Sequence, residues 1–193
     1  MSISRAGFVA VVVWLAACPA YSQAPKGQLQ QAQQQSAQQP PSVGADPQTT
    51  AATYGDWIVG CQSVPGATPV RRCEISQSLQ VQGAGRIAQI VMGRLDAKSP
   101  LLLTVVLPTN VSFSDPVRFL IDEKDNQPVG LTWQRCLPSG CFANVEVKDD
   151  VLRRYRAQTE RGRLQFKDGA GREIILPFSF RGLAQALDAL AKG

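Results

Sequence analysis

The sequence predicts a mainly β fold: an antiparallel β-sandwich with one or two short helices, the last of them at the C-terminus. From residue 54 onward, short segments rich in Val and Ile recur between turn residues, which is typical of all-β domains. The segment 183–190 instead places Leu and Ala on one face at helical spacing. The sequence has neither a repeat of about 20–50 residues nor a regular alternation of strands and helices, so a solenoid or a parallel α/β sheet is not expected.

The N-terminal residues predict export. Arg5 precedes an apolar run, residues 6–17, that is too short to span a membrane and is followed by small residues, as in a secretory signal peptide. Two processing routes remain open. A signal peptide of residues 1–22 releases a soluble protein. A lipoprotein signal of residues 1–17 leaves Cys18 as a lipidated N-terminus, because the Leu-Ala-Ala-Cys motif that ends there resembles a lipobox.

The next segment predicts a spacer in front of a single domain. Residues 23–53 are dominated by Gln, Pro and Ala and lack an apolar period that could be buried, so we predict a disordered spacer. Residues 54–193 form one predicted β domain, and about 140 residues suffice to bury a core without a metal or cofactor. The expected location is the periplasm or the cell surface. Membrane contact is expected only if lipidation at Cys18 anchors the protein to the outer membrane.

Composition and charge narrow the function classes. Charged residues make up 18% of the chain and hydrophobic residues 44%, which is ordinary for a globular protein. The net charge of +5 is modest and basic residues are interleaved with acidic ones, so no nucleic-acid partner is predicted. The sequence contains no histidine, which removes His-based triads and most zinc hydrolase sites. We therefore predict no catalytic residue, no cofactor and no metal.

The cysteines predict a disulfide framework. With Cys18 assigned to the leader or the anchor, four of the five cysteines remain, an even number in an exported chain. Segments 56–62 and 70–81 have strand composition and are separated by a Pro- and Gly-containing turn. A hairpin of these two strands places Cys61 opposite Cys73, within disulfide distance.

The second cysteine pair follows the same design on a smaller scale. A four-residue turn brings Cys136 against Cys141, so we predict a second disulfide there. Zinc binding is the alternative, but only this pair has ligand-like spacing, and an oxidising compartment favours disulfides. Neither pair is a C-x-x-C motif, so thiol–disulfide exchange chemistry is not expected.

The other elements follow from composition and spacing. Val151, Leu152 and Tyr155 lie at helical spacing after Asp149, which we predict to be the N-cap of a short helix. The remaining strands are predicted at 86–94, 101–107, 117–122, 130–136, 141–147, 161–167 and 172–180.

Basic residues are the remaining candidates for a contact site. Arg153, Arg154 and Arg156 lie within the predicted helix, and Arg71 and Arg72 lie in a predicted strand. Such groups can form an ordinary solvated face. The functional interpretation is a contact to an anionic surface, such as lipopolysaccharide headgroups or sulfated host glycans.

Several short motifs occur in a set order along the chain. They are Tyr54-Gly55-Asp56-Trp57 with Cys61, Leu107-Pro108, Ile121-Asp122, Cys136 with Gly140-Cys141, and Phe178-Ser179-Phe180-Arg181-Gly182-Leu183 followed by Ala186. Together they resemble the invasion-associated locus B family of exported alphaproteobacterial proteins. The resemblance implies a disulfide-bonded β-sandwich in the periplasm or at the cell surface, associated in some pathogens with entry into host cells. It supplies no catalytic residue.

These observations lead to a ranked expectation of function. The first is a non-enzymatic exported envelope protein, a binding module that contributes to host-cell interaction. Its partner is an unidentified protein, an anionic glycan or another envelope component. The alternative is a periplasmic helper that stabilises other envelope proteins. An enzyme is the least favoured class, because no nucleophile with an activating base is found in the sequence.

Overall fold

The structure is a computed structural model that describes residues 48–66, 68–81, 83 and 85–193. The predicted signal peptide 1–22, the alternative lipoprotein signal 1–17, the predicted lipidation of Cys18 and most of the predicted spacer 23–53 lie outside the described residues. They stay predictions.

Ten strands and two helices make up the described part of the chain. In chain order they are β1 (Thr49–Tyr54), β2 (Trp57–Val64), β3 (Val70–Val81), β4 (Gly85–Gly93), β5 (Leu102–Leu107), β6 (Val117–Leu120), β7 (Val129–Leu137), β8 (Gly140–Glu146), α1 (Asp149–Arg156), β9 (Arg161–Lys167), β10 (Glu173–Ser179) and α2 (Leu183–Leu190). All strand pairs are antiparallel. The predicted mainly β fold with a helix near the C-terminus is confirmed.

The strands hydrogen-bond in the order β1-β2-β3-β4-β5-β8-β7-β6-β9-β10. Strand β7 changes partner along its length, since residues 129–131 pair with β6 and residues 132–137 pair with β8. A register shift between Trp133 and Arg135 accompanies the change, and such a bulge bends a strand. Strand β7 therefore belongs to both layers of a sandwich-like fold. One layer contains β1 to β5 with β8, and the other contains β6, β9 and β10.

The core contains an aromatic cluster that joins the second layer to the helices. The ring of Phe119 on β6 lies 4.3 Å from that of Phe178 on β10 and 5.0 Å from that of Tyr155 on α1, measured between centroids. Phe180 packs 4.9 Å from Phe178. Burial raises the pKa of Tyr155, so its hydroxyl stays protonated and the residue serves packing. Within the described ranges, no helix has the length and apolarity needed to cross a membrane.

Strand β1 begins five residues before the predicted domain boundary, inside the predicted spacer 23–53. Its residues are mostly small or hydroxylated and exposed, so its side chains show no apolar alternation. The strand is ordered by its backbone, because each residue from Thr49 to Tyr54 pairs with one of β2. Hydropathy patterning detects burial and therefore misses an exposed edge strand of this kind.

The start of α1 also differs from the prediction by one residue. The N-cap is Lys148, which makes no side-chain capping hydrogen bond, and Asp149 is the first residue of the helix. Asp149 and Asp150 lie in the first turn, where a negative charge favours the helix dipole. Asp149 thus stabilises the helix end by charge and not as the cap.

Two of the sequence motifs meet at one end of the sandwich, where the turn after β1 contacts the corner before α2. The backbone N–H of Asp56 donates to the carbonyl of Arg181 at 3.0 Å. The guanidinium of Arg181 donates two hydrogen bonds to the Asp56 carboxylate, at 3.0 and 2.5 Å, which lower the pKa of that carboxyl. The indole N–H of Trp57 donates to the carbonyl of Ser179 at 2.9 Å. Residues more than 120 positions apart are therefore joined by four hydrogen bonds.

A buried glutamine completes this contact. Gln77 on β3 is 6% exposed, and its amide N–H donates to the carbonyls of Asp56 and Ser179 at 3.2 and 3.1 Å. Its side-chain oxygen accepts from the backbone N–H of Ser179 at 2.9 Å. One side chain thus links the two layers across the open side of the sandwich.

Two glycines allow the backbones to approach this closely. Gly55 and Gly182 have φ values of +58° and +89°, in the left-handed region. A Cβ at Gly55 would overlap the carbonyl of Arg181, and a Cβ at Gly182 would overlap that of Tyr54. Both positions therefore require glycine for conformation and for space.

We expect Gly182→Ala to lower the free energy of unfolding by about 3 kcal/mol or more, because a left-handed alanine and a backbone overlap add together. The matched control is Gly171→Ala, since Gly171 also has a positive φ of +79° but nothing lies near its missing Cβ. The control should cost only about 1–2 kcal/mol. Urea denaturation of both variants measures the difference, and equal costs would show that the contact is not sterically tight.

Candidate functional site

A pocket of about 370 Å³ lies between the two helices, the start of β3 and the connection from β4 to β5. Its lining residues are Val70, Arg71, Arg72, Cys73, Arg94, Leu95, Asp96, Ala97, Leu101, Leu152, Arg156, Leu187, Leu190, Ala191 and Gly193. Its volume falls within the range of about 300–1,000 Å³ that is usual for small-molecule sites.

The floor of the pocket is aliphatic. Three separate parts of the chain, namely the residue before β5 and the two helices, supply four leucines: Leu101, Leu152, Leu187 and Leu190. At the mouth, Leu95 is 62% exposed and Val70 is 55% exposed. Two of the four leucines are buried and two are partly buried, so the apolar surface continues from the floor to solvent.

Four arginines surround this floor. Arg71 donates to the hydroxyl of Thr50 at 2.8 Å, and Arg94 donates to the carbonyl of Ser99 at 2.6 Å. These neutral acceptors orient the two guanidinium groups without neutralising their charge. Arg156 forms an ion pair with Asp188 at 2.7 Å. In the part of the chain that the structure describes, Arg71, Arg72 and Arg94 form no salt bridge. Asp96 also lines the pocket and interacts with the charge of Arg72, so the four arginines leave the rim with a net positive charge.

The carboxylate of the acidic lining residue Asp96 accepts hydrogen bonds from the turn that follows it. Its carboxylate accepts the backbone N–H groups of Lys98 and Ser99, both at 2.8 Å. Hydrogen bonds from the Ser99 hydroxyl and from these backbone groups hold the pKa of Asp96 below its usual value. It stays ionised near neutral pH, where it is poorly suited to donate a proton.

The three arginines predicted as an anionic-surface contact do not form one exposed cluster. Arg153 is exposed, whereas Arg154 pairs at 2.8 Å with Asp125, whose side chain is 3% exposed. Arg156 faces the pocket. The structure thus separates the members of this group, and it brings Arg156 together with the second predicted basic group, Arg71 and Arg72.

Arg94 and the leucine floor were not predicted as site residues. Arg94 follows β4 and is the last residue of the strand predicted at 86–94. The four leucines belong to segments far apart in the chain, and each has an ordinary core spacing. No sequence signal links them, because their proximity arises from the packing of α1 and α2.

Both predicted cysteine pairs are joined by disulfides, Cys61–Cys73 and Cys136–Cys141. In each case the two residues face each other in the strand register, between β2 and β3 and between β7 and β8. Cys73 lines the pocket. The first disulfide therefore fixes the segment of β3 that carries Arg71 and Arg72.

A second cavity of about 450 Å³ lies along the seam between β3 and β10. It is larger than the arginine-rimmed pocket, but its wall contains Gln77, whose amide is fully engaged with Asp56 and Ser179. The polar groups here hold the two layers together, so this cavity has a structural explanation.

Chemistry based on a metal or a nucleophile finds no support around the pocket. Among the described residues, no group of three or more Asp, Glu or Cys side chains is arranged to hold a metal ion. The rim consists of guanidinium groups, which stay protonated and cannot act as general bases. What this arrangement can do is bind a ligand that carries negative charge and an apolar part.

The Arg154–Asp125 pair should make stability depend on pH on the acid side. Burial raises the pKa of Asp125, but hydrogen bonds from the backbone of Ile121 and Gln127 and the charge of Arg154 outweigh it, so the pKa is lowered. The contribution of this pair to stability is then fully present above the pKa of Asp in the unfolded chain, about 3.9, and is lost as the pH falls through the pKa of Asp125 in the folded protein.

We therefore expect Asp125→Asn to cost about 1–3 kcal/mol of unfolding free energy at neutral pH and much less at a pH below the folded pKa. Asp188→Asn is the control, because Asp188 is 60% exposed and its pair with Arg156 should contribute at most about 1 kcal/mol. Urea denaturation across the acid range measures both. A cost for Asp125→Asn that does not change with pH would contradict this assignment.

Comparisons with known proteins agree with this architecture. The chain matches a crystal structure of invasion associated protein B from Bartonella henselae with a TM-score of 0.62 and 20% identity, over 74% of this chain and 96% of that one. This likeness shows the fold. An invasion protein B homolog of Brucella abortus strain 2308 is 25% identical over 145 residues, which cover 74% of this chain and 79% of the relative. A homolog from Brucella abortus biovar 1 strain 9-941 matches to the same extent.

The profile of the family described as Invasion associated locus B (IalB) protein matches residues 57–191. The match begins at Trp57 and ends at Ala191, just after α2, so it includes both disulfides, the corner before α2 and every pocket residue except Gly193, whereas Asp56 and the two residues before it precede the match. Disulfides together with this match indicate an exported protein. The chain belongs to the invasion associated locus B family.

Proposed function

We propose that this family member is a non-enzymatic binding module that acts in the periplasm or at the cell surface and contributes to contact with host cells. The observation that carries the proposal is the arginine-rimmed pocket, in which three guanidinium groups without an ion pair in the described part of the chain surround an aliphatic floor. The names of the relatives from Brucella and Bartonella, which refer to invasion, support the host-contact part of the proposal.

The chemistry of the pocket favours binding over catalysis. The chain has no histidine, the rim is made of arginine, and the carboxylate Asp96 is held ionised by hydrogen bonds within its turn. General acid–base work needs a group that exchanges a proton near the working pH. Positive charge beside apolar surface instead favours recognition of an anionic, partly apolar ligand.

The test compares attachment of bacteria to host cells. A deletion strain is complemented with the wild type, with Arg71→Gln/Arg72→Gln, or with Arg86→Gln/Arg118→Gln, a control that removes the same charge from exposed arginines of β4 and β6. We expect the wild type and the control to restore attachment, and the pocket variant to fail at equal exported protein levels. Restoration by the pocket variant would place the contact surface elsewhere. Unchanged attachment in the deletion strain would remove the host-contact role.

A periplasmic helper is the second candidate, and strand β1 favours it. The strand lies at one end of the ten-strand order, and no described strand pairs with its outer side. It contains neither proline nor charge, two devices that commonly protect sheet edges. The opposite end strand, β10, contains Pro177 and Glu173. Such an open edge can pair with an extended segment of another protein.

Site-specific crosslinking distinguishes the helper from the binding module. A photoreactive residue at exposed Thr53 on β1 is compared in intact cells with one at exposed Ile175 on β10. The helper predicts crosslinks from position 53 to envelope proteins whose abundance falls in the deletion strain. The same products from both positions, or no change in abundance of the crosslinked proteins, would contradict it.

A further inference from the structure

We propose that the arginine-rimmed pocket binds a lipid-like amphiphile with one alkyl chain and an anionic headgroup. The chain lies on the leucine floor, and the headgroup lies at the arginine rim. This inference rests on the proposed function, because it names the ligand class of the same pocket.

The size and lining of the floor favour an alkyl chain. A cavity of about 150 Å³ holds one benzene molecule, so the whole pocket of about 370 Å³, including its rim, can take an alkyl chain of roughly ten carbons together with its headgroup. A single leucine side chain of a peptide would leave most of this space unfilled. The floor is formed by leucine side chains, which have no polar atoms, and an alkyl chain likewise neither donates nor accepts a hydrogen bond.

The rim is complementary to a phosphate or carboxylate. Arg71, Arg72 and Arg94 are exposed, and Arg94 directly follows β4, whose last residue pairs with Glu74 of β3. Guanidinium groups form paired, charge-assisted hydrogen bonds with such oxyanions. Arg156 already has a carboxylate partner in Asp188, and Arg72 interacts with the charge of Asp96, so the attraction for a new anion comes mainly from Arg71 and Arg94.

The backbone at the rim adds hydrogen-bonding groups. Residues 70–73 pair with β2, but the ladder between β3 and β4 begins only at Glu74. The backbone of residues 70–73 is therefore unpaired by β4 on the side where the pocket lies. An unpaired strand edge presents N–H donors, which suit an anionic headgroup, in alternation with carbonyl acceptors.

Exposed apolar side chains at the mouth fit the same ligand. Leu95 and Val70 are more than half exposed and stand next to the arginines. An amphiphile has its apolar and charged parts joined at one point, so it contacts both kinds of group at once. An inorganic anion would use only the rim, and an uncharged detergent would use only the floor.

The test is a titration of the exported, disulfide-bonded protein with decyl phosphate below its micelle concentration, followed by calorimetry and by backbone amide NMR. We expect saturable binding at one site, with shift changes concentrated at residues 70–73, 94–97 and 187–191. Decyl maltoside, which has the same chain and an uncharged head, and inorganic phosphate alone should each bind at least about tenfold more weakly.

Variants separate the two halves of the site. Arg71→Gln/Arg72→Gln should weaken decyl phosphate binding by about ten- to a hundredfold and reduce its salt dependence. The control Arg86→Gln/Arg118→Gln should stay within about twofold, because these exposed residues do not line the pocket. Ala97→Trp, at an exposed lining position, should block the chain and weaken decyl phosphate binding without unfolding the domain.

Several outcomes would overturn the assignment. They are equal affinity for decyl maltoside, insensitivity to Arg71→Gln/Arg72→Gln, and shift changes outside the pocket. Tighter binding of a short peptide ending in a leucine carboxylate would assign the pocket to a protein terminus instead. Binding of decyl phosphate as described, together with full host attachment by the arginine variant, would leave the ligand class in place and show that the host-contact surface lies outside the pocket.

Discussion

The fold depends on the contact between the turn after β1 and the corner before α2. Asp56 and Trp57 bind the backbone of Arg181 and Ser179, and Gln77 connects to both sides from β3. Hydrogen bonds shielded from water hold geometry well because breaking them leaves buried groups unpaired. Strands β1 and β10 lie at opposite ends of the ten-strand order and do not pair with each other. The contact joins the chain next to these two end strands. The contact therefore adds a second connection between the two layers, beside the strand β7 that they share.

The same contact sets the position of the pocket. Helix α2 begins at Leu183, directly after Gly182, so the close approach of Gly182 to Tyr54 fixes where the helix starts. Leu187 and Leu190 then follow at one and nearly two turns and form half of the leucine floor. The disulfide Cys61–Cys73 fixes the opposite wall through β3. Structural motifs therefore build the site without supplying its chemistry, because none of the residues in these two motifs lines the pocket.

Local patterns in the sequence predicted most of the fold. Strands with alternating burial, such as β4 and β9, and the amphipathic helix α2 were predicted close to their observed ends, because side-chain period and burial coincide there. The two hairpins predicted the cysteine pairs, because facing positions in a hairpin are fixed by the turn. Strand β1 was missed because its order comes from backbone pairing. The contact between the turn after β1 and the corner before α2 was visible in the sequence only as two separate motifs, because sequence order does not show which distant backbones touch.

The candidate site was harder to predict, because its character depends on which charges are already paired. Three arginines close together in sequence were chosen for their proximity, yet α1 directs Arg154 to the buried carboxylate of Asp125 and Arg156 to Asp188 and the pocket. A charge compensated by a carboxylate attracts an anion weakly, whereas one held by a neutral hydroxyl or carbonyl keeps its field. By that criterion Arg71 and Arg94, held by Thr50 and Ser99, matter more than the denser cluster. The group that each arginine contacts therefore decides where an anion can bind, and only the three-dimensional structure shows these contacts.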